Sequence, residues 1–451
     1  MKSQRRAHDL CLVTARRLIH RKSSMSRITI ASDNRHFERD GAPFVLVADT
    51  AWSAFADAGI DEWRSYVRYR VSQGFNSALV SMLPILHDRA IRPGAREPFA
   101  VDADGHYVYA SPDEAYFATA RQMTRIAHEE GLTLGLVVLW LNYVPGTWGA
   151  DRTPWSPMTD DERNAYLDLA MDTFADLDPY FVVSGDEHFR DAEPVRVYAD
   201  ALRRVKERAP HCLTTLHSTP DCDLPPELAD SEYLDFYSYQ AGHHVDRQQL
   251  TWELAERYRG KPVARPVVDL EPCYEGHGYG AGAGRYLRHE VRRATWWSIL
   301  GGASAGIGYG AHGVWQWFRP GAEFTSIGFS LVPFPWQTAL TFPGADDVTF
   351  AATLTARHRL FETYARQELL IEPFEGLRLA ANSDHSTIAV YLPDSRDVRL
   401  SLDLSNYRIE AWALESRRTT AARLRIEPTA TLIEQPDTTG DVLVVLTGQV
   451  G

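Results

Sequence analysis

The sequence predicts a (β/α)8 barrel followed by a small all-β sandwich. Three observations carry that reading. Eight short, near-continuous apolar runs lie between Pro43 and Gly310, and segments of helical period separate them. After about Leu369 the texture changes to apolar–polar alternation broken by turn clusters. Apolar runs without alternation are the mark of strands buried on both faces, as in a parallel sheet under helices. Eight of them over roughly 250 residues is the number that closes a barrel. A doubly wound open sheet is the alternative arrangement.

The strands are expected at 43–49 (PFVLVAD), 76–83 (NSALVSML), 132–140 (LTLGLVVLW) and 180–186 (YFVVSGD). They continue at 212–218 (CLTTLHS), 233–240 (YLDFYSYQ), 262–271 (PVARPVVDLE) and 303–310 (ASAGIGYG). Amphipathic helices are expected at 61–73, 113–131, 160–176, 192–208, 247–259 and 285–299. Capping residues open several of them, as in Ser111-Pro-Asp-Glu and Thr159-Asp-Asp-Glu. Segment 225–232 is too short for a full helix, and 348–367 would cover the last strand. The domains then read as an N-terminal extension over 1–27, a barrel over 28–368 and a β-sandwich over 369–451. In the sandwich, turn clusters NSD, PDS and SNY separate alternating runs, and VLVVLT looks like a closing strand.

At 451 residues with 44% hydrophobic and 24% charged content, the chain can build a sizeable core. A net charge of −13 argues against nucleic acid or an anionic membrane surface as the main partner. Twelve tryptophans are compatible with sugar binding, because flat apolar rings suit sugar C–H faces, but a large core also uses them. Cys11, Cys212, Cys222 and Cys273 show neither CxxC nor zinc spacing, which fits a reduced, cytoplasmic chain. The basic N-terminus lacks the unbroken apolar segment of an export signal, and Met25 is an alternative start. No run approaches the roughly 20 apolar residues that span a bilayer.

Barrel chemistry gathers where strands end. The ends read in order as Asp49 with Trp52, Ser81 with His87, and Trp140 with Asn142 and Tyr143. Asp186, Glu187 and His188 come next, followed by His217, then Tyr239 with His243. The last are Asp269, Glu271 and Glu275, then Tyr309, His312 and Trp315. Two acids stand out. Asp186 follows Ser184-Gly185 at the fourth strand, where an aspartate can equally cap a helix. Glu271 ends the seventh strand in VVDLEPCYEG (267–276), where it can equally pair with Arg285, Arg288, Arg292 or Arg293. Strands four and seven face each other across a barrel mouth, so these carboxyls could flank a glycosidic bond: one protonates the leaving oxygen while the other attacks or activates water. The bland readings of the aromatic loops are packing for Trp148 and Trp317, less so for Trp140 and Trp315. A metal-dependent hydrolase using His87, His217, His243, His244, His312 and Asp269 is the alternative chemistry, although no HExxH occurs. A sugar-binding barrel that has lost its chemistry is a further one.

These residues resemble the apiosidase-like glycoside hydrolases, barrels with a small C-terminal domain labelled collagen-binding. PFVLVADTAW resembles that family's first strand, with Asp49, Thr50 and Trp52 in its D-T-x-W pattern. SGDEHF resembles its G-G-D segment with Ser184 in place of the first glycine. EPCYEGHGYG and VRRATWWSILGGASAGIGYGAHGVWQW match more closely. The resemblance, spread over about 28–445, implies a retaining glycosidase without cofactor or metal. Its acid/base would be Asp186 and its nucleophile Glu271, with Glu275 as the other candidate. Asp49, His217, Tyr239 and His312 are then expected to hydrogen-bond sugar hydroxyls beside Trp52, Asn142, Glu187 and Tyr309, with Trp140 or Trp315 as ring platform. Family members include enzymes that remove the pentose apiose from pectic side chains. The C-terminal domain is expected to be a buttress.

Overall fold

The computed structural model describes residues 26–91, 94–280 and 282–448. The expectations for most of the N-terminal extension, including Cys11 and the alternative start, lie outside these residues. The eight runs form eight parallel strands: β1 (Leu46–Thr50), β2 (Ser77–Ser81), β3 (Thr133–Trp140), β4 (Tyr180–Gly185), β5 (Thr214–Thr215), β6 (Tyr237–Gln240), β7 (Val267–Glu271) and β8 (Gly306–Tyr309). Every residue of all eight is buried, which is why no strand alternates in sequence. Ladders run continuously from β5 through β4, β3, β2, β1, β8 and β7 to β6. The seam between β5 and β6 is closed largely by hydroxyls. Thr215 Oγ1 donates to Phe236 O (2.7 Å), and Ser238 Oγ donates to Leu216 O (2.7 Å).

Seven helices cover the strands: α1 (Ile60–Gln73), α2 (Glu114–Glu130), α3 (Asp160–Phe174), α4 (Ala192–Arg208), α5 (Leu250–Arg259), α6 (Arg288–Gly301) and α7 (Gly344–Arg357). The connection after β5 holds only one turn, Pro226–Ala229. Thr159 caps α3 in a reciprocal box with Glu162, whereas α2 is capped by Asp113 rather than Ser111. Three expected boundaries move. The first run splits into a short strand, Ala42–Phe44, and β1, because 29–44 folds into its own three-stranded antiparallel sheet. That sheet seats Phe37 against Phe236 ahead of β6. Pro262 and Pro266 keep the start of the seventh run out of the ladder. The last helix begins at Gly344 and stops at Arg357, where Arg359 turns left-handed (φ 52°).

The C-terminal strands form two sheets. The larger joins β9 (Tyr364–Ala365), β10 (Arg378–Ala381), β11 (Thr387–Leu392), β13 (Tyr407–Ala413), β14 (Arg418–Thr420) and β17 (Val442–Gly448) in the order β9-β10-β11-β17-β13-β14. The smaller joins β12 (Val398–Leu400), β15 (Arg423–Glu427) and β16 (Ala430–Glu434). The first strand thus precedes residue 369, and the last run is a central strand between β11 and β13. Both faces of β11 and β17 are covered. Ile388, Val390, Val444 and Leu446 pack toward the smaller sheet, while Ala389, Tyr391, Leu443 and Val445 pack on Trp296, Ile299 and Leu300 of α6.

A charged clamp reinforces that contact. Arg292 of α6 makes a bidentate pair with Asp441 (2.8 Å to each oxygen) and reaches Asp347 of α7 (2.8 Å). Arg288 also grips Asp347 with two bonds of 2.7 Å. Asp441 is buried and loses its cation when Arg292 is removed, whereas Asp347 keeps Arg288, so the uncompensated charge falls on Asp441. Arg292→Ala is therefore expected to destabilise the protein by about 3–5 kcal/mol in chemical denaturation. A change under about 1 kcal/mol would mean the clamp is dispensable.

Candidate active site

The C-terminal strand ends open into an inner cavity of about 90 Å³ that widens to an outer cleft of about 450 Å³. The indoles of Trp52, Trp140 and Trp315 wall the inner cavity, and Trp148 lines the cleft. Gly185 makes this possible: a Cβ there would lie 2.3 Å from the Trp140 ring. The indole N–H groups of Trp140 and Trp315 are buried without a hydrogen-bond partner among the described residues.

Glu271 reaches the cavity through a bulge. Tyr239 pairs with Asp269, but Gln240 pairs with Glu271, so Leu270 is an extra residue on β7. Asp269 consequently faces the helices, where Ser298 of α6 donates to its Oδ2 (2.7 Å), while Glu271 turns inward. Gln240 Nε2 (2.7 Å) and His243 Nε2 (3.0 Å) both donate to Glu271 Oε1. The Tyr274 N–H points at His243 Nδ1 (3.4 Å), which holds the ring in place. His217 Nε2 lies 3.1 Å from Oε2, within ion-pair reach though off the hydrogen-bond axis. Burial alone would raise the Glu271 carboxyl, but the contacts and charge of His217 and His243 outweigh it and hold the group well below the usual carboxylate range.

Asp186 lines both the cavity and the cleft. It follows β4 in the left-handed region (φ 60°), which turns it out of the strand direction, and Trp148 Nε1 donates to its carbonyl (3.1 Å). Burial first, and then the neighbouring charge of Glu271, push its carboxyl up to about 7. One cavity thus holds Glu271, whose carboxyl is driven down, beside Asp186 and Asp88, whose carboxyls are driven up.

Several residues expected at the site face elsewhere. Asp49 accepts from Tyr66 and Arg70 of α1 (2.7 Å each), fully buried behind β1. Glu275 accepts from Tyr309 Oη (2.7 Å) and from Gly344 N at the start of α7 (2.8 Å). Both Glu275 and Tyr309 are thereby spent on holding β8 to that helix. Tyr239 donates to Thr251 O on α5 (2.8 Å), and Glu187 turns back to accept from Phe189 N (3.1 Å). Asn142 and His312 stand behind the wall. Asn142 Oδ1 accepts from His87 Nδ1 (2.7 Å), and His312 Nε2 donates to Leu331 O (3.0 Å). His217 contacts Glu271 from beneath rather than lining the cavity.

Asp88, Gln240, Tyr274, His277 and Phe329, for which no site role is expected from the sequence, all line the inner cavity. Gln240 was one residue from Tyr239, and a single step along a strand reverses its face. Tyr274 fits against Gly310, where a Cβ would sit 2.2 Å from its ring. His277 stacks on His243 with centroids 4.0 Å apart. Among the described residues, no group of three or more His, Cys, Asp or Glu side chains is arranged to hold a metal ion. No helix there is long and apolar enough to cross a membrane.

The family model described as "Apiosidase-like, catalytic domain" matches residues 31–362. A solved structure described as a glycoside hydrolase superposes with a TM-score of 0.76 at 17% identity, covering 94% of this chain and 98% of its own. A glycoside hydrolase family 5 protein from Bacteroides vulgatus ATCC 8482 gives 0.75 at 18% identity, covering 94% of each chain. At such identities these likenesses bear on the fold. No curated protein matches the sequence.

Proposed function

The chain belongs to the apiosidase-like family and is a glycosidase, and from that premise we propose that it removes a terminal pentose of the apiose type by a retaining, two-carboxylate mechanism. What supports this reading is that Asp186 and Glu271 line one cavity, with Glu271 held there by donors from Gln240 and His243, while burial and neighbouring groups push the two carboxyls in opposite directions. A general acid must hold a proton near neutral pH, and a nucleophile must not. The small inner cavity, walled by tryptophans, supports a single sugar ring as the glycone, with the leaving group in the outer cleft.

Glu271 attacks the anomeric carbon as Asp186 gives its proton to the departing oxygen, forming a glycosyl ester and releasing the alcohol. The donors from Gln240 and His243 keep Glu271 ionised and aimed. Forming the ester removes the Glu271 charge, one of the causes that raise Asp186, so the Asp186 carboxyl becomes more acidic. As carboxylate it then takes a proton from water, whose oxygen attacks the anomeric carbon and frees Glu271.

The pH profile follows. Asp186 must be protonated, so kcat/KM on a pentoside whose leaving group needs protonation is expected to fall tenfold per unit as pH rises above about 7. Glu271 must be ionised, and its lowered pKa places the acidic limb below the ordinary carboxylate range. Activity centred above pH 8, or no turnover across a panel of aryl pentosides and hexosides, would contradict the proposal.

A further inference from the structure

Six residues line both the inner cavity and the outer cleft and so form the neck between them: His87, Asp88, Asp186, Gln240, His243 and Phe329. Besides the proposed acid Asp186, three of these present an acceptor: Asp88, Gln240 and His87. Asp88 Oδ1 is buried without a hydrogen-bond partner among the described residues. Gln240 must donate through Nε2 to the Glu271 carboxylate, which leaves its Oε1 bare, and that oxygen is also buried without a partner. His87 gives its Nδ1 proton to Asn142 Oδ1, because Asn142 Nδ2 is already donating to Gly149 O and Thr153 Oγ1. Its Nε2 is thereby left as a lone pair.

A neck ringed by unsatisfied acceptors suits a ligand that brings hydroxyl donors. A buried acceptor without a partner is unfavourable until a donor reaches it, so an analogue lacking that donor is rejected strongly. We propose that Asp88 is a specificity-determining residue that accepts hydrogen bonds from hydroxyls of the sugar held at this neck, with Gln240 Oε1 and His87 Nε2 as flanking acceptors. The assignment rests on the glycosidase reading of the same cavity. Burial, and the charge of Glu271 across the cavity, raise the Asp88 carboxyl to about 7 against a hydrogen bond from Ser326, and a sugar hydroxyl reaching the unpartnered Oδ1 would offset more of that desolvation.

The test titrates the full chain and its Asp88→Asn variant with a pentose panel and with the monodeoxy analogues of whichever sugar binds, alongside aryl glycoside hydrolysis. For the hydroxylated sugar, affinity and kcat/KM are expected to fall at least tenfold in Asp88→Asn. For one monodeoxy analogue the two proteins should agree within threefold. Equal binding of the hydroxylated sugar by both proteins would overturn the assignment. So would a loss that is the same for every analogue, or a loss confined to poor leaving groups and rescued by azide, which would make Asp88 the acid. Asp88-dependent sugar binding with no turnover of any glycoside would instead overturn the hydrolase reading and leave the Asp88 contact standing.

Discussion

Glu271→Ala is expected to lower kcat by about 10⁴- to 10⁶-fold, the upper figure being the scale seen when a nucleophile is removed. Nothing else lining the cavity is held ionised in the same way: Asp186 and Asp88 are both pushed up to about 7. Glu271→Gln should lose as much, although it fills the same space and can still accept from His243. That pair separates chemistry from packing, because alanine leaves Gln240 and His243 without their acceptor whereas glutamine does not. Azide should restore turnover to the alanine variant and yield the glycosyl azide of inverted configuration. A loss below about tenfold in both variants would remove Glu271 from the reaction.

Asp186→Ala is expected to behave differently according to the leaving group. With an alkyl or sugar leaving group, which needs protonation, kcat/KM should fall about 10³-fold, within the range for general acid catalysis. With dinitrophenolate, which departs unprotonated, bond cleavage should be nearly preserved, and azide should relieve the slow second step by attacking the ester in place of water, freeing Glu271 and giving the glycosyl azide of retained configuration. The fall in activity above about pH 7 should vanish with the group that causes it. Equal losses across leaving groups would point to a positioning role.

The two carboxyls differ in how far the sequence reveals them. Strand number and the spacing of helices were readable, because buried parallel strands leave unbroken apolar runs. The orientation of each strand was not. With both faces of a barrel strand buried, Asp49, Tyr239 and Tyr309 look as eligible for the cavity as Gln240, yet their hydrogen bonds run to α1, α5 and the start of α7 through Glu275. Glu271 faces inward only because Leu270 is an extra residue in β7, and no composition signal marks a bulge. Asp88 sits in the loop after β2, where no motif distinguishes it from other surface acids. The apolar faces of β11 and β17 look like an ordinary sandwich core until α6 is seen packed against them. The buttress role expected for this domain is a proposal that Arg292→Ala addresses.

The central claim is that Glu271 becomes covalently bonded to the sugar. Incubating the protein with an activated 2-fluoro glycoside of the sugar it hydrolyses fastest, followed by peptide mapping, tests it most directly. The account predicts a stable adduct on Glu271 with loss of activity in proportion to labelling. An adduct on Glu275, Asp88 or Asp186, or hydrolysis that releases the inverted anomer with no adduct formed, would contradict it.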